Sequence, residues 1–357
     1  MTEISIAGET FNVLIEGGEN KAVLTLSNPL GTNLHIWDPQ IPALLKHFRV
    51  VRYDSRGHGA SVANKGPYSV EGLGHDALAI MDALGVGKVH WLGLSMGGII
   101  ALWLLAHARE RIGRAVLANT AAQIPGPDLW NSRIQTARDA GMDTVAMAAA
   151  ERWFTKAFRD THPEKVERVM EMVRTTPLPG YLAACAAGRD MDLREAIRSI
   201  TNKVLVIAGR HDLSTPPGMG TLVASSIKGS KFVTLEASHM SNIEDATNFT
   251  KLAVDFLTAP EAAAGKPTPR PKAPAKTTVA KKAPNKRAAK KSSRSLASAK
   301  KAPVKSTPHK KRKTKTQTKK AAAKKTTIRT VIKKKPGKKM GASKKRSDGK
   351  KIQMRKN

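Results

Sequence analysis

Gly93-Leu94-Ser95-Met96-Gly97 is the stretch on which the reading of this chain turns. A serine in the pattern G-x-S-x-G marks a tight turn from a strand into a helix, where small flanking residues let the backbone strain and lift the hydroxyl clear. The flanks agree with that reading. Lys88-Val89-His90-Trp91-Leu92 is a short apolar strand before the turn, and Gly98-Ile99-Ile100-Ala101-Leu102-Trp103-Leu104-Leu105-Ala106 is an apolar helix after it. Glycine and serine are common, so the pentapeptide alone is a weak signal. Set between strand and helix, it makes Ser95 a candidate nucleophile.

A serine hydroxyl attacks poorly at neutral pH unless a base takes its proton. Two later stretches supply the parts: Gly209-Arg210-His211-Asp212 and Ser238-His239. His239 would be the base, and Asp212 would orient it and stabilise its imidazolium form. Asp212 could instead cap a helix beside Ser214, Thr215 and Pro216, but its place directly after a strand favours catalysis. His211 lacks such placement, and His58, within Asp54-Ser55-Arg56-Gly57-His58-Gly59, is read as shaping a loop. A tetrahedral intermediate needs two N–H donors, one from Met96, the residue after the nucleophile. The second should come from Ser27-Asn28-Pro29-Leu30-Gly31-Thr32. Pro29 has no N–H to give. Leu30 is the better candidate, with the Asn28 side chain as the alternative.

Working outward, Ile4-Ser5-Ile6 and Phe11-Asn12-Val13-Leu14-Ile15 alternate as a hairpin, and Ala22-Val23-Leu24-Thr25-Leu26 and Arg49-Val50-Val51-Arg52-Tyr53 read as buried strands. Helices are expected from about 39 to 47 and 70 to 84, and further strands at Arg114-Ala115-Val116-Leu117-Ala118-Asn119, Lys203-Val204-Leu205-Val206-Ile207-Ala208 and Lys231-Phe232-Val233-Thr234-Leu235. Strands alternating with helices predict an α/β fold with a mostly parallel central sheet. Residues 121–200 break the alternation with a helical pattern, read as a cap inserted into a core of residues 1–120 and 201–259. Such a cap would roof the site and select the substrate.

The chain carries 62 Lys plus Arg against 28 Asp plus Glu, and the excess sits at one end. Residues 260–357 hold 36 bases and two acids, Glu261 and Asp348, which leaves 26 of each sign in residues 1–259. A neutral body therefore precedes a polycationic tail. The tail has no Phe, Tyr or Trp and repels itself, so it is expected to be disordered. Its repeats, Ala280-Lys281-Lys282-Ala283-Pro284-Asn285-Lys286 and Ala299-Lys300-Lys301-Ala302-Pro303-Val304-Lys305, resemble the Lys/Ala/Pro tails of linker histones and bacterial histone-like proteins. The expected partner is DNA or another polyanion, bound without base reading through counterion release. A solvated charge run with no dedicated partner is the plain alternative.

Cys185 is the sole cysteine, which rules out an intrachain disulfide, makes a reducing compartment the default and reads as a small core residue. No basic region followed by an apolar core opens the chain and no run has membrane-span length, so a cytoplasmic protein is expected, with nucleoid association through the tail. The ten histidines are dispersed, with no H-E-x-x-H, G-x-G-x-x-G or Walker lysine, so no metal or nucleotide cofactor is expected.

Several motifs together resemble the 3-oxoadipate enol-lactonases, a family of α/β-hydrolases. They are Ser27-Asn28-Pro29-Leu30-Gly31-Thr32, Tyr53-Asp54-Ser55-Arg56-Gly57-His58-Gly59-Ala60-Ser61, Gly93-Leu94-Ser95-Met96-Gly97-Gly98, Ala118-Asn119-Thr120-Ala121-Ala122, Asp212-Leu213-Ser214-Thr215-Pro216-Pro217 and Ala237-Ser238-His239-Met240-Ser241-Asn242-Ile243-Glu244. The likeness spans about residues 10–258 and implies an α/β-hydrolase fold, an acyl-enzyme on Ser95 and a small anionic enol-lactone opened to 3-oxoadipate in aromatic catabolism. An anionic arm asks for a cation, for which Arg133 and Arg189 are candidates, with Trp130 and Trp153 as pocket walls. Surface arginines and core tryptophans are the bland readings of the same residues. The alternatives are a general carboxylesterase or carbon–carbon bond hydrolase of the same fold, or a nucleoid-associated protein with a vestigial hydrolase body. Dehalogenation would want a carboxylate where Ser95 stands.

Overall fold

The computed structural model describes residues 2–260, and the expectations of disorder and polyanion binding for residues 261–357 lie outside them. Eight strands form one sheet: β1 (Thr2–Ile6), β2 (Glu9–Glu16), β3 (Val23–Ser27), β4 (Arg49–Tyr53), β5 (Val89–Leu94), β6 (Ile112–Ala118), β7 (Val204–Gly209) and β8 (Lys231–Leu235). Their order is β1-β2-β4-β3-β5-β6-β7-β8. The pairs β1/β2 and β2/β4 are antiparallel, and every pair from β4 to β8 is parallel. The sheet is thus mostly parallel, as its sequence pattern predicts. All six residues of β7 are buried, as expected of an interior strand of a parallel sheet covered on both faces.

The chain reverses its winding at the centre. From β3 it passes outward to β4 and then returns across β3 to β5, so the carboxyl ends of β3 and β5 open a crevice between them. Open α/β sheets bind ligands at such a switch point. The helix after β5, α3 (Met96–His107), packs against β3, β5 and β6 and has ten buried residues. That explains why its sequence is apolar all round and not amphipathic. Beside it runs α2 (Val70–Ala83), whose first turn is capped by Ser69 accepting from the Gly72 N–H at 3.0 Å. The expected helix near 39–47 is shorter, α1 (Ile41–Leu44).

Between β6 and β7 stand four helices: α4 (Pro127–Trp153), α5 (Lys156–Thr161), α6 (Pro163–Arg174) and α7 (Leu178–Asp190). Gly141, with φ 77° and ψ 178°, kinks α4. The remaining helices are α8 (Pro217–Ser226) after β7 and α9 (Ser241–Glu244) and α10 (Ala246–Thr258) after β8. Cys185 is fully buried on α7, and burial pushes its thiol pKa up to about 12. No helix among the described residues is long and apolar enough to cross a membrane.

Candidate active site

Ser95 stands between β5 and α3 with φ 54° and ψ −112°, outside the regions that side-chain-bearing residues favour. Such strain persists only where surroundings over-determine it. Here the Ser95 N–H donates to the Ala118 carbonyl at 2.9 Å, and the Ser95 carbonyl accepts from the Thr120 hydroxyl at 2.8 Å. The glycines allow the close crossing this turn needs. A Cβ on Gly97 would lie 2.0 Å from the Ser27 carbonyl oxygen, and one on Gly93 would lie 2.2 Å from that of Gly97.

Asp212 and His239 emerge from the loops after β7 and β8, and each is 2% exposed. His239 Nδ1 lies 2.8 Å from Asp212 Oδ2. The carboxylate has four further donors: the Ser214 and Thr215 N–H groups at 2.7 and 2.9 Å on Oδ1, and Thr215 Oγ1 and Asn119 Nδ2 at 2.8 and 2.9 Å on Oδ2. Burial works to raise the Asp212 pKa, but the charge and hydrogen bond of His239, with those of Thr215 and Asn119, outweigh it and hold the group below its ordinary range. Ser95 and His239 line one cavity of about 300 Å³ without a hydrogen bond between them. Nucleophile–base contacts often tighten only around substrate.

Leu30 and Met96 line the same cavity. The Met96 N–H belongs to the first turn of α3, where no intrahelical acceptor exists. The Leu30 N–H has no hydrogen-bond partner among the described residues, whereas its neighbour at Gly31 donates to His58 Nε2 at 2.9 Å. The Asn28 amide is occupied: its Nδ2 donates to the Tyr53 carbonyl and its Oδ1 accepts from Trp37 Nε1. One of its two amide N–H groups is thus engaged, and Asn28, unlike Leu30, is not among the residues lining the cavity.

Among the expected substrate residues, Trp130, Arg133 and Trp153 all line this cavity. Arg133 stacks on the Trp130 ring at 4.7 Å, and the Trp153 ring lies 6.0 Å from that of His239. Arg189 does not join them. It borders a separate cavity with Lys65 and Arg138, and its guanidinium is taken up by Asp190 and Asn131. The cation sequence reasoning missed is Arg152, on the last turn of α4 and lining the Ser95 cavity. Burial, reinforced by the charge of Arg133, lowers its pKa, and its Nε is buried without a hydrogen-bond partner. Neither Arg133 nor Arg152 forms an ion pair among the described residues, so the cavity lining includes two guanidinium groups without a direct carboxylate partner. Only its neighbour Trp153 hinted at Arg152.

Glu244 was also unassigned. Its carboxylate accepts from the N–H and hydroxyl of Thr155 and from the Ser238 N–H at 2.8 Å, while the Met240 N–H donates to the Trp153 carbonyl at 3.0 Å. These bonds stitch the end of α4 to both sides of His239. No group of three metal-ligating side chains occurs among the described residues.

A model of the alpha/beta hydrolase fold matches residues 26–246. A curated relative, 3-oxoadipate enol-lactonase 2 of Acinetobacter baylyi, is 39% identical over 233 residues, covering 65% of this chain and 87% of that protein. A second, 3-oxoadipate enol-lactonase 1 of the same organism, is 36% identical over 250 residues, or 70% and 94% of the two chains. The crystal structure of the enol-lactonase from Burkholderia xenovorans LB400 superposes with a TM-score of 0.71 at 43% identity, covering 72% of this chain and all of that one.

Proposed function

Because the chain belongs to the 3-oxoadipate enol-lactonase family of α/β-hydrolases, we propose that it opens 3-oxoadipate enol-lactone to 3-oxoadipate through an acyl-enzyme on Ser95. The observation that carries this reading is the buried His239–Asp212 pair at 2.8 Å, facing the same cavity as the strained Ser95. His239 Nε2 would take the Ser95 proton as Oγ attacks the ring carbonyl, and Asp212, ionised throughout, would hold the imidazole and offset its positive charge. The N–H groups of Leu30 and Met96 would receive the oxyanion. The ring C–O bond then breaks. Its electron pair leaves as an enolate, which takes up the proton His239 received from Ser95, directly at carbon or by way of the enol, to become the ketone and leave His239 neutral. Water, losing a proton to His239, releases the acid from Ser95 and restores the hydroxyl.

An enolate is a good leaving group, so selectivity falls to the cavity walls. Arg133 and Arg152 supply two positive charges for the carboxylate arm, and the α4–α7 block serves as the selecting cap. Residues 260–357, with 36 bases against two acids, would associate with DNA or another polyanion by counterion release. The test is hydrolysis of the lactone and of a simple aryl ester by the full chain and by Ser95→Ala. Rapid lactone turnover, reduced at least about 10⁴-fold in the variant, is expected. Turnover of the aryl ester alone would reassign the chain as a general esterase.

A further inference from the structure

His58 is one of the buried titratable groups beside the site to which the mechanism above gives no role. We propose that His58 is a positioning residue, a neutral imidazole whose Nε2 accepts the Gly31 N–H and thereby aims the Leu30 N–H at the oxyanion. The proposal rests on Leu30 being an oxyanion donor.

A peptide unit is planar, so fixing one of its polar groups fixes the other. Two units meet at Leu30. The first joins Pro29 to Leu30, and its carbonyl accepts from the Thr32 hydroxyl at 2.9 Å and the Thr32 N–H at 3.3 Å. In a trans unit the Leu30 N–H then points the opposite way. The second joins Leu30 to Gly31, and its N–H is held by His58 Nε2 at 2.9 Å. Thr32 alone would leave the loop free to rock about Leu30. The His58 bond closes the second plane, and Gly31, at φ 79°, turns the chain away against Tyr181.

His58 can do this in only one protonation state and one tautomer. Nε2 must carry no proton, so the proton sits on Nδ1, which lies 3.1 Å from the Arg56 carbonyl as its donor. Burial disfavours the imidazolium and lowers the pKa, against the opposing pulls of the Arg56 carbonyl and the Asp54 charge. From the packed neighbours, the Gly31 loop brings no charge. Tyr181 against Gly31 and Tyr68 against Gly57 are phenols whose pKa values burial raises. Asp54 itself is engaged by Asn12, Leu34 and Ala60.

Two measurements test this. Imidazole ¹⁵N spectra of the full chain at pH 7.5, assigned by loss of the His58 signals in His58→Gln, should show Nδ1 protonated and Nε2 bare. A His58 protonated at Nε2, or cationic, overturns the proposal whatever the activity. Lactone kinetics should show a kcat about 10- to 100-fold lower in His58→Ala with KM within about twofold. His58→Gln, whose amide oxygen reaches the Nε2 position, should recover most of kcat, and the shorter His58→Asn should not. Loss through KM alone, or a Gln variant as poor as Ala, would mean that His58 only fills space. Absence of any Ser95-dependent turnover in the parent chain would refute the proposed function instead, and the tautomer would still decide the role of His58.

Discussion

Asn119 shows how much depends on single residues here. It leaves β6 with φ 45°, donates to Asp212 Oδ2 and the Ser238 carbonyl, and accepts from the Ser241 hydroxyl at 2.6 Å. Asn119→Ala should lower kcat about tenfold and cost ~1–3 kcal/mol in urea unfolding, because a carboxylate and a hydroxyl lose buried partners. Protonation carries a second residue-level prediction. His58 and His90 are both depressed below the ordinary value of about 6.5 by burial, His90 also by Arg114 and Lys88. Between the unfolded and folded pKa values the unfolded chain binds more protons, so the stability these groups contribute is present above about pH 6.5 and lost below it. Asp212 acts in the same sense at lower pH, its contribution lost as pH falls below about 3.9 through its folded pKa. The urea midpoint should fall from pH 7 to pH 5, with a shallower slope in His58→Gln. A flat profile in the parent chain would count against a neutral buried His58.

Among elements, the β5–α3 joint tolerates least. Gly97→Ala, with a Cβ 2.0 Å from backbone oxygen, should cost more than about 3 kcal/mol in urea unfolding or prevent folding. Gly85→Ala, also at positive φ but in open space, should cost only about 1 kcal/mol. The contrast separates crowding from backbone conformation. This joint and the strands were legible because their signals are local. Alternation, a glycine pair and the chain order of Ser95, Asp212 and His239 need no knowledge of distant neighbours. Elements set by packing were less legible. The strand expected at Arg114 begins at Ile112, and the helix expected to reach His47 ends at Leu44. The helices between β6 and β7 defeat local reading most clearly. Arg152 and Arg189 both end helices, α4 and α7, yet only the former reaches the cavity, because which end of a helix meets a site depends on the crossing of helices and on kinks such as Gly141. His58 and Glu244 were visible in motifs, but their partners, Gly31 and Thr155, lie 27 and 89 residues away.

At the scale of the whole molecule the charges divide sharply, with 26 of each sign in residues 1–259 and 36 bases against two acids beyond. A chain cut after residue 259 should keep the kcat and KM of the full chain, because every residue assigned to chemistry precedes the cut. It should lose retention on DNA, and retention of the full chain should weaken steeply with salt. Equal binding by both forms in a filter or anisotropy assay would refute the assignment of that affinity to residues 260–357. The two guanidinium groups of the Ser95 cavity bear on the other end of the catalytic cycle. Opening a lactone creates a carboxylate and releases a proton, so on the proposed reaction a monoanion would enter and a dianion would have to leave. An enclosure lined by two guanidinium groups without direct carboxylate partners would hold the departing molecule more strongly than the arriving one. Turnover would then be throttled at exit: 3-oxoadipate should inhibit competitively at concentrations below KM in dilute buffer, and moderate salt should speed the saturated reaction while weakening capture of the lactone.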